Sequence, residues 1–197
     1  MKNCALVVID LQNDITKNYR EIIEKVNCSI DWAEHNGLQI VYIRHNNLSA
    51  GTRTFKPGTR GAEFVPEMKI VSDNIFTKSK SNALTSEEFT AFIQKNDITE
   101  FYIVGADAAA CIKSTCYNNL TKHNPNQRFG VFRRTLNHTA SAQRAFATWY
   151  NMRKNGYTVH VISDCITSYD KKKIPEMLAY YESNGCEVTE FSEIIKK

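Results

Sequence analysis

Short apolar runs alternate along this chain with longer stretches of helical periodicity. Residues 4–10 are almost continuously apolar before ending in Asp10, the pattern of a strand buried on both faces of a parallel sheet. Residues 16–36 predict a helix: Ile22, Ile23, Val26, Ile30 and Ala33 recur at its spacing, and Gly37 follows as the stop. Residues 38–45 predict a second strand. A long connection over 46–73 is punctuated by Asn46-Asn47, Gly51, Pro57-Gly58 and Pro66, and structureless connections of this length are often functional. Residues 74–78 predict a short third strand. A helix opens after Thr85, with Thr85 as its N-cap, Glu88 as the capping-box partner, and Phe89, Phe92 and Ile93 on its apolar face. Residues 99–105 predict the fourth strand and 157–164 the fifth. Pro175 opens a helix stopped by Gly185, and 186–191 predict the last strand. This alternation predicts an α/β fold, a doubly wound three-layer sandwich with a mostly parallel six-stranded sheet and helices on both faces.

Composition narrows this picture only a little. The 197 residues suit one domain with a sizeable core. No apolar run is long enough to span a bilayer, and the N-terminal stretch lacks a signal-peptide cleavage site, so no membrane association is expected. The six scattered cysteines form neither a CxxC pair nor a Cys/His ligand pattern, which points to a reducing cytoplasm. The net charge of +4 is unevenly spread. Residues 118–154 hold Lys122, Arg128, Arg133, Arg134, Arg144, Arg153 and Lys154 with no acid, so the rest of the chain is net acidic.

Candidate chemistry gathers at strand ends. In a doubly wound sheet, ligands bind outside the carboxyl ends of the strands. Asp10 closes the first strand, Lys78 the third, and Cys111 follows the fourth after a break at Gly105 and the small-residue turn Ala106-Asp107-Ala108-Ala109-Ala110. A helix N-terminus there favours a thiolate and can hold an oxyanion. A carboxylate can take the thiol proton, and a lysine between them keeps the carboxylate ionised. Each residue also has a plainer reading. Asp10 could serve as a turn or cap, Lys78 as a solvated charge with Lys80 competing for its role, and Cys111 as a small core residue.

Several segments together resemble the isochorismatase-like cysteine hydrolase superfamily. Residues 5–14, Ala-Leu-Val-Val-Ile-Asp-Leu-Gln-Asn-Asp, are similar to its opening strand, which would make Asp10 catalytic. Residues 55–68 resemble its long loop. Phe76-Thr77-Lys78-Ser79-Lys80-Ser81-Asn82-Ala83-Leu84 resembles the lysine-bearing segment in a register that selects Lys78. Residues 105–112 resemble the nucleophile turn, and Val161-Ile162-Ser163-Asp164 the strand and acid beyond it. The resemblance covers 4–117 and 151–195. It implies C–N hydrolysis of a small amide or ureide through a thioester on Cys111, with Asp10 moving the proton and Lys78 stabilising the pair. It further implies an oxyanion site made by the backbone N–H groups of Asp107 and Cys111, and a non-proline cis peptide between Ala106 and Asp107. Phe55, Asn82 and Tyr117 are the candidate substrate-binding residues. Dimers or tetramers are implied as well.

The sequence departs from the family pattern in places. Ala109 replaces a usually polar residue two before the nucleophile, and Asn82 a usual serine. Zinc-type nicotinamidases carry an Asp-x-His pair after the second strand, where this chain has Arg44-His45-Asn46, so neither a metal nor another cofactor is expected. Gly156-Tyr157 lies 45 residues after Cys111, far beyond the nucleophile helix the resemblance implies. Tyr117-Asn118 and Tyr150-Asn151 share a dipeptide, and joining the chain across them restores a short helix. Residues 118–150 therefore read as an insertion in a single domain, with a helix over 139–154. The insertion could serve as a packing arm, a lid or, through its Arg/Phe-rich run, a single-strand contact, although nucleic acid is not the expected partner. Besides the amidohydrolase, two other functions fit the sequence: an inactive hydrolase scaffold that binds a partner through its basic insertion, and redox work by Cys111 with Cys116 five residues on.

Overall fold

A computed structural model of the chain describes residues 3–16, 18–117 and 152–196. The six expected strands form one sheet: β1 Cys4–Ile9, β2 Gln39–His45, β3 Ile75–Lys78, β4 Glu100–Gly105, β5 Thr158–Ile166 and β6 Glu187–Thr189. Their order is β3-β2-β1-β4-β5-β6, and every pairing is parallel. The helices are α1 Asn13–Thr16, α2 Ile23–His35, α3 Glu87–Lys95, α4 Lys113–Cys116, α5 Ile174–Ser183 and α6 Phe191–Ile194.

Strand β1 is buried along its whole length, as its unbroken apolar run requires. Its period-2 alternation divides the core in two. Ala5, Val7 and Ile9 pack with Phe89 and Ile93 of α3, Cys116 of α4, and Met177 and Tyr181 of α5. Leu6 and Val8 face Val26, Ile30 and Ala33 of α2 and Ile194 of α6. Each face of the sheet is thereby closed by helices, the three layers that the alternating pattern predicts.

Local details differ from the sequence reading. The helix expected over 16–36 is broken: α1 ends at Thr16, a 3-10 turn spans Arg20–Ile22, and α2 begins only at Ile23. The break leaves Tyr19 outside regular helix, where its hydroxyl bonds Asp107. Ser86, not Thr85, caps α3, because Thr85 completes a preceding 3-10 turn and its hydroxyl donates to the Asn82 carbonyl at 2.6 Å. The last strand stops at Thr189, since the Asp164 carboxylate accepts the Phe191 N–H at 2.8 Å and starts α6 there.

The insertion expected over 118–150 lies outside the described residues. So does most of the helix expected over 139–154, whose described end forms a 3-10 turn at Arg153–Asn155. Tyr117 ends α4, and the Met152 N–H donates to the Thr115 carbonyl at 2.9 Å. No helix among the described residues is long and apolar enough to cross a membrane.

Candidate active site

Strand order reverses between β1 and β4, the place where a crevice opens at the carboxyl ends of a doubly wound sheet. Asp10 leaves β1 at φ 55°, a left-handed conformation that aspartate tolerates better than most residues. On the other side of the crevice, β4 ends at Gly105 with φ 112°. A Cβ on Gly105 would stand 2.2 Å from the Ile9 carbonyl oxygen, so only glycine lets the two strands end this close. The peptide from Ala106 to Asp107 is cis, as the resemblance implied. A π turn over Ala108–Ile112 then carries Cys111 into α4.

Lys78 supplies the third group from two strands away. Its side chain is fully buried, and its Nζ lies 2.7 Å from Asp10 Oδ2, 3.0 Å from His45 Nδ1 and 3.3 Å from Cys111 Sγ. An ammonium has three N–H bonds, and all three have an acceptor here. The contact fixes the His45 tautomer by geometry: Nδ1 accepts, so the ring proton sits on Nε2. Burial and the neighbouring Lys78 charge hold the His45 pKa below its ordinary value, which keeps the ring neutral. Asp10 Oδ2 is occupied by Lys78, while Oδ1 is buried and has no hydrogen-bond partner among the described residues.

The thiol is not preionised. Burial, reinforced by the Asp10 charge, pushes the Cys111 pKa up to about 12, and the Lys78 charge offsets this only in part. Desolvation beside a carboxylate outweighs the pull of the lysine, so a base has to take the thiol proton.

The residues after Asp10 knit the long loop to the sheet. Gln12 accepts the His45 N–H at 2.8 Å and donates to the carbonyls of His45 at 2.9 Å and Ala62 at 2.7 Å. Asp14 accepts the Phe55 N–H at 2.6 Å and packs where a side chain on Gly61 would stand. The Phe55 ring therefore stacks on His45, with centroids 5.2 Å apart. Of the candidate substrate-binding residues, Phe55 thus stands beside the cluster. Asn82 uses its side-chain oxygen to cap the 3-10 turn Ala83–Thr85. That turn is tied to the nucleophile: the Ala83 N–H donates to Thr115 Oγ1 at 3.0 Å, and Thr115 Oγ1 donates to the Cys111 carbonyl at 2.8 Å. Tyr117 stands at the far end of α4 with its ring 6.4 Å from Tyr180's. Cys116 is buried against Cys186.

Sequence reasoning missed His45. The signal was present: His45 closes β2, and parallel pairing puts it beside Lys78 on one face. Asp10, His45 and Cys111 also present ligand atoms within 4.8 Å of one another, close enough to ligate one ion. The Lys78 ammonium touches all three and holds the point such an ion would need, so the donor set does not fit a metal.

A six-stranded all-parallel sheet closed by helices on both faces defines a doubly wound α/β fold, and comparison with known proteins says which family carries it here. A model of the isochorismatase domain matches residues 4–122. A curated relative from Arabidopsis thaliana, described as a probable inactive nicotinamidase, is 25% identical over 150 residues, spanning 64% of this chain and 76% of its own. The zinc complex of the Pyrococcus horikoshii pyrazinamidase superposes with a TM-score of 0.67 at 21% identity, covering 96% of this chain and 99% of that one. The N-carbamoylsarcosine amidase of Thermoplasma acidophilum gives 0.66 at 17% identity, covering 96% of each. The chain belongs to the isochorismatase family, and its fold is that family's hydrolase fold.

Proposed function

We propose that this protein is a cysteine amidohydrolase that cleaves the C–N bond of a small amide or ureide through a thioester on Cys111. The observation that carries the reading is the Lys78 ammonium seated between Asp10 and Cys111 at the strand-reversal crevice. With Oδ2 held by Lys78, the free Oδ1 of Asp10 is the open base. It takes the Cys111 proton as the sulfur attacks the substrate carbonyl, so the thiolate forms in the reaction and not before it. The oxyanion lies against the backbone N–H groups of Asp107 and Cys111. The Asp107 carbonyl accepts from Ala110 and Ile112, both at 3.1 Å, and leaves the Cys111 N–H between them out of that pairing. The Asp107 N–H makes no hydrogen bond among the described residues. Asp10 returns its proton to the departing nitrogen as the C–N bond breaks. Water then attacks the thioester, giving one proton back through Asp10 to the sulfur and releasing a carboxylic or carbamic acid. The pyrazinamidase and N-carbamoylsarcosine amidase names of structural neighbours support a small-amide substrate. All six cysteines are free, which supports a reducing compartment.

The Arabidopsis relative's description as probably inactive favours a second reading, a scaffold that binds a partner through the basic segment 118–150. One experiment separates the two. Wild type and Cys111→Ala are offered a panel of amides and ureides, with ammonia release and intact mass as readouts. An acyl adduct and ammonia that vanish together in the variant support the hydrolase. No adduct and no turnover, with Cys111 alkylated no differently from a free thiol, favours the scaffold.

A further inference from the structure

The Asp107 side chain carries far more hydrogen bonds than its place in the turn requires. As the N-cap of the π turn, it needs one acceptor for one free N–H, and Oδ1 takes that of Ala109 at 2.7 Å. Three other donors converge on the same carboxylate from distant parts of the chain. The Tyr19 hydroxyl reaches Oδ2 at 2.9 Å, and the Tyr169 N–H reaches it at 2.7 Å. The Ser168 hydroxyl bridges Oδ1 and Oδ2 at 2.9 and 3.0 Å. Tyr19 comes from the break between α1 and α2, and Ser168 and Tyr169 follow β5. Tyr19 and Ser168 are both nearly fully buried. Burial and the adjoining carboxylate hold the Tyr19 hydroxyl protonated, so it remains a donor. The backbone repeats the link to the β5 loop, since the Ala108 N–H donates to the Thr167 carbonyl at 2.9 Å and the Thr167 N–H to the Gly105 carbonyl at 3.1 Å.

A lone carboxylate near a developing oxyanion would repel it. One whose lone pairs are spent on four donors acts instead as an anchor. We propose that the Asp107 side chain is a positioning residue: by tying the nucleophile turn to Tyr19 and to Ser168-Tyr169, it aims the N–H groups of Asp107 and Cys111 at the substrate oxygen. The inference rests on the hydrolase reading above and adds three residues, Tyr19, Ser168 and Tyr169, to the machinery of the turn.

Asp107→Asn is the decisive variant. Asparagine keeps an acceptor for the Ala109 cap but sets an amide N–H against the Tyr169 N–H. It also removes the negative charge, so simple electrostatics and positioning predict opposite signs. Propionaldehyde and benzaldehyde, which form tetrahedral adducts with thiols, serve as probes, read by their protection of Cys111 from iodoacetamide. Positioning predicts aldehyde affinity about ten-fold or more weaker in the variant. The iodoacetamide rate without aldehyde stays within about two-fold, because burial, Asp10 and Lys78 set the thiol's charge and Asp107 is not among its causes. Ser168→Ala and Tyr19→Phe give intermediate losses. Aldehyde affinity that is unchanged or tighter in Asp107→Asn overturns the proposal, as does an equal loss of alkylation. Amide hydrogen exchange on the ligand-free protein is read in parallel. Faster exchange over 105–112, with α3 unchanged, supports the anchor, and unchanged exchange overturns it. If neither aldehyde protects the wild-type thiol and no amide turns over, the hydrolase reading falls, and the exchange result alone decides whether Asp107 holds the turn.

Discussion

Replacing Lys78 by methionine is the sharpest test of the buried cluster. The substitution roughly keeps the side chain's volume and removes its charge. Asp10, 1% exposed, then loses the partner of Oδ2, while Oδ1 has none among the described residues. At the observed 2.7 Å and an effective dielectric of 20, the attraction between the two charges is about 6 kcal/mol. Much of that offsets the desolvation of both groups in the folded protein. The loss on removing one partner is therefore about 3–5 kcal/mol, the cost of an uncompensated buried charge. For a domain of this size, each kcal/mol lowers the melting temperature by about 2–4 °C, so Lys78→Met should melt about 6–20 °C below wild type at neutral pH. Pairing it with Asp10→Asn removes both charges, and the double variant should regain most of that loss even though two native residues are gone. Thermal melts and urea titrations of the four proteins measure the cycle. A single variant that melts within about 2 °C of wild type, or a double variant whose loss is the sum of the singles, would refute the claim of a buried and mutually dependent pair.

Further outcomes follow from the same geometry. Iodoacetamide alkylation of resting Cys111 should keep rising with pH beyond 9, toward its pKa of about 12, without a plateau near neutrality. Because that folded pKa lies above the unfolded value, the thiol's contribution to stability is full below about pH 8.5 and is lost as pH rises toward 12, which alkaline urea titrations of wild type against Cys111→Ala will read. The depressed His45 pKa works in the other direction: its contribution is present above about pH 6.5 and lost on acidification, so acid destabilisation should shrink in His45→Asn, which keeps an acceptor for Lys78. Gly105→Ala should cost at least about 3 kcal/mol, since its backbone conformation and the Ile9 carbonyl both exclude a Cβ, and expression or a urea midpoint close to wild type would contradict this. We propose that 118–150 is an insertion. In an uninterrupted helix the acceptor Thr115 would serve the residue four positions on, and here Met152 fills that role. Deleting 118–150, so that Tyr117 joins Asn151, should leave a folded protein with unchanged Cys111 alkylation, and an insoluble product would argue that the segment belongs to the core.

The sheet was legible because its signal is local. Burial on both faces writes itself as continuous apolar runs, and residues 4–9 and 101–104 carry that pattern unmistakably. Asp10, Lys78 and Cys111 were legible for a related reason, since strand ends share an edge once a parallel sheet is accepted. His45 was harder to see. Its role depends on which strands are neighbours, and the β2–β3 register that sets it beside Lys78 is not written in either strand alone. The break at Tyr19 was hidden because Ile22 of the 3-10 turn and Ile23 and Val26 of α2 keep one apolar spacing across the junction just after it. At the break the Tyr19 hydroxyl makes a tertiary bond to Asp107, and no local propensity reports that. The thiol's burial was not legible on the same grounds, since it comes from the assembled edge and not from the turn alone.

The resting thiol and the filled ammonium belong to one design. A preionised Cys111 would place a second negative charge beside Asp10 in a buried site where Lys78 alone, among the described residues, is the cation bonded to both. Keeping the proton on sulfur leaves the cluster neutral as a whole, with one carboxylate, one ammonium, a neutral imidazole and a thiol. On the proposed hydrolase reading, charge appears only when a substrate carbonyl is present to receive it and moves outward from sulfur to the oxyanion, while the cation stays fixed and the proton passes through Asp10 Oδ1. On this argument, the rate should respond far more to donors at the oxyanion than to further lowering of the thiol pKa. A variant that places a second cation beside Cys111 should speed alkylation by iodoacetamide without a matching gain in amide turnover. A parallel rise in both would mean that thiolate formation, and not oxyanion stabilisation, limits the reaction.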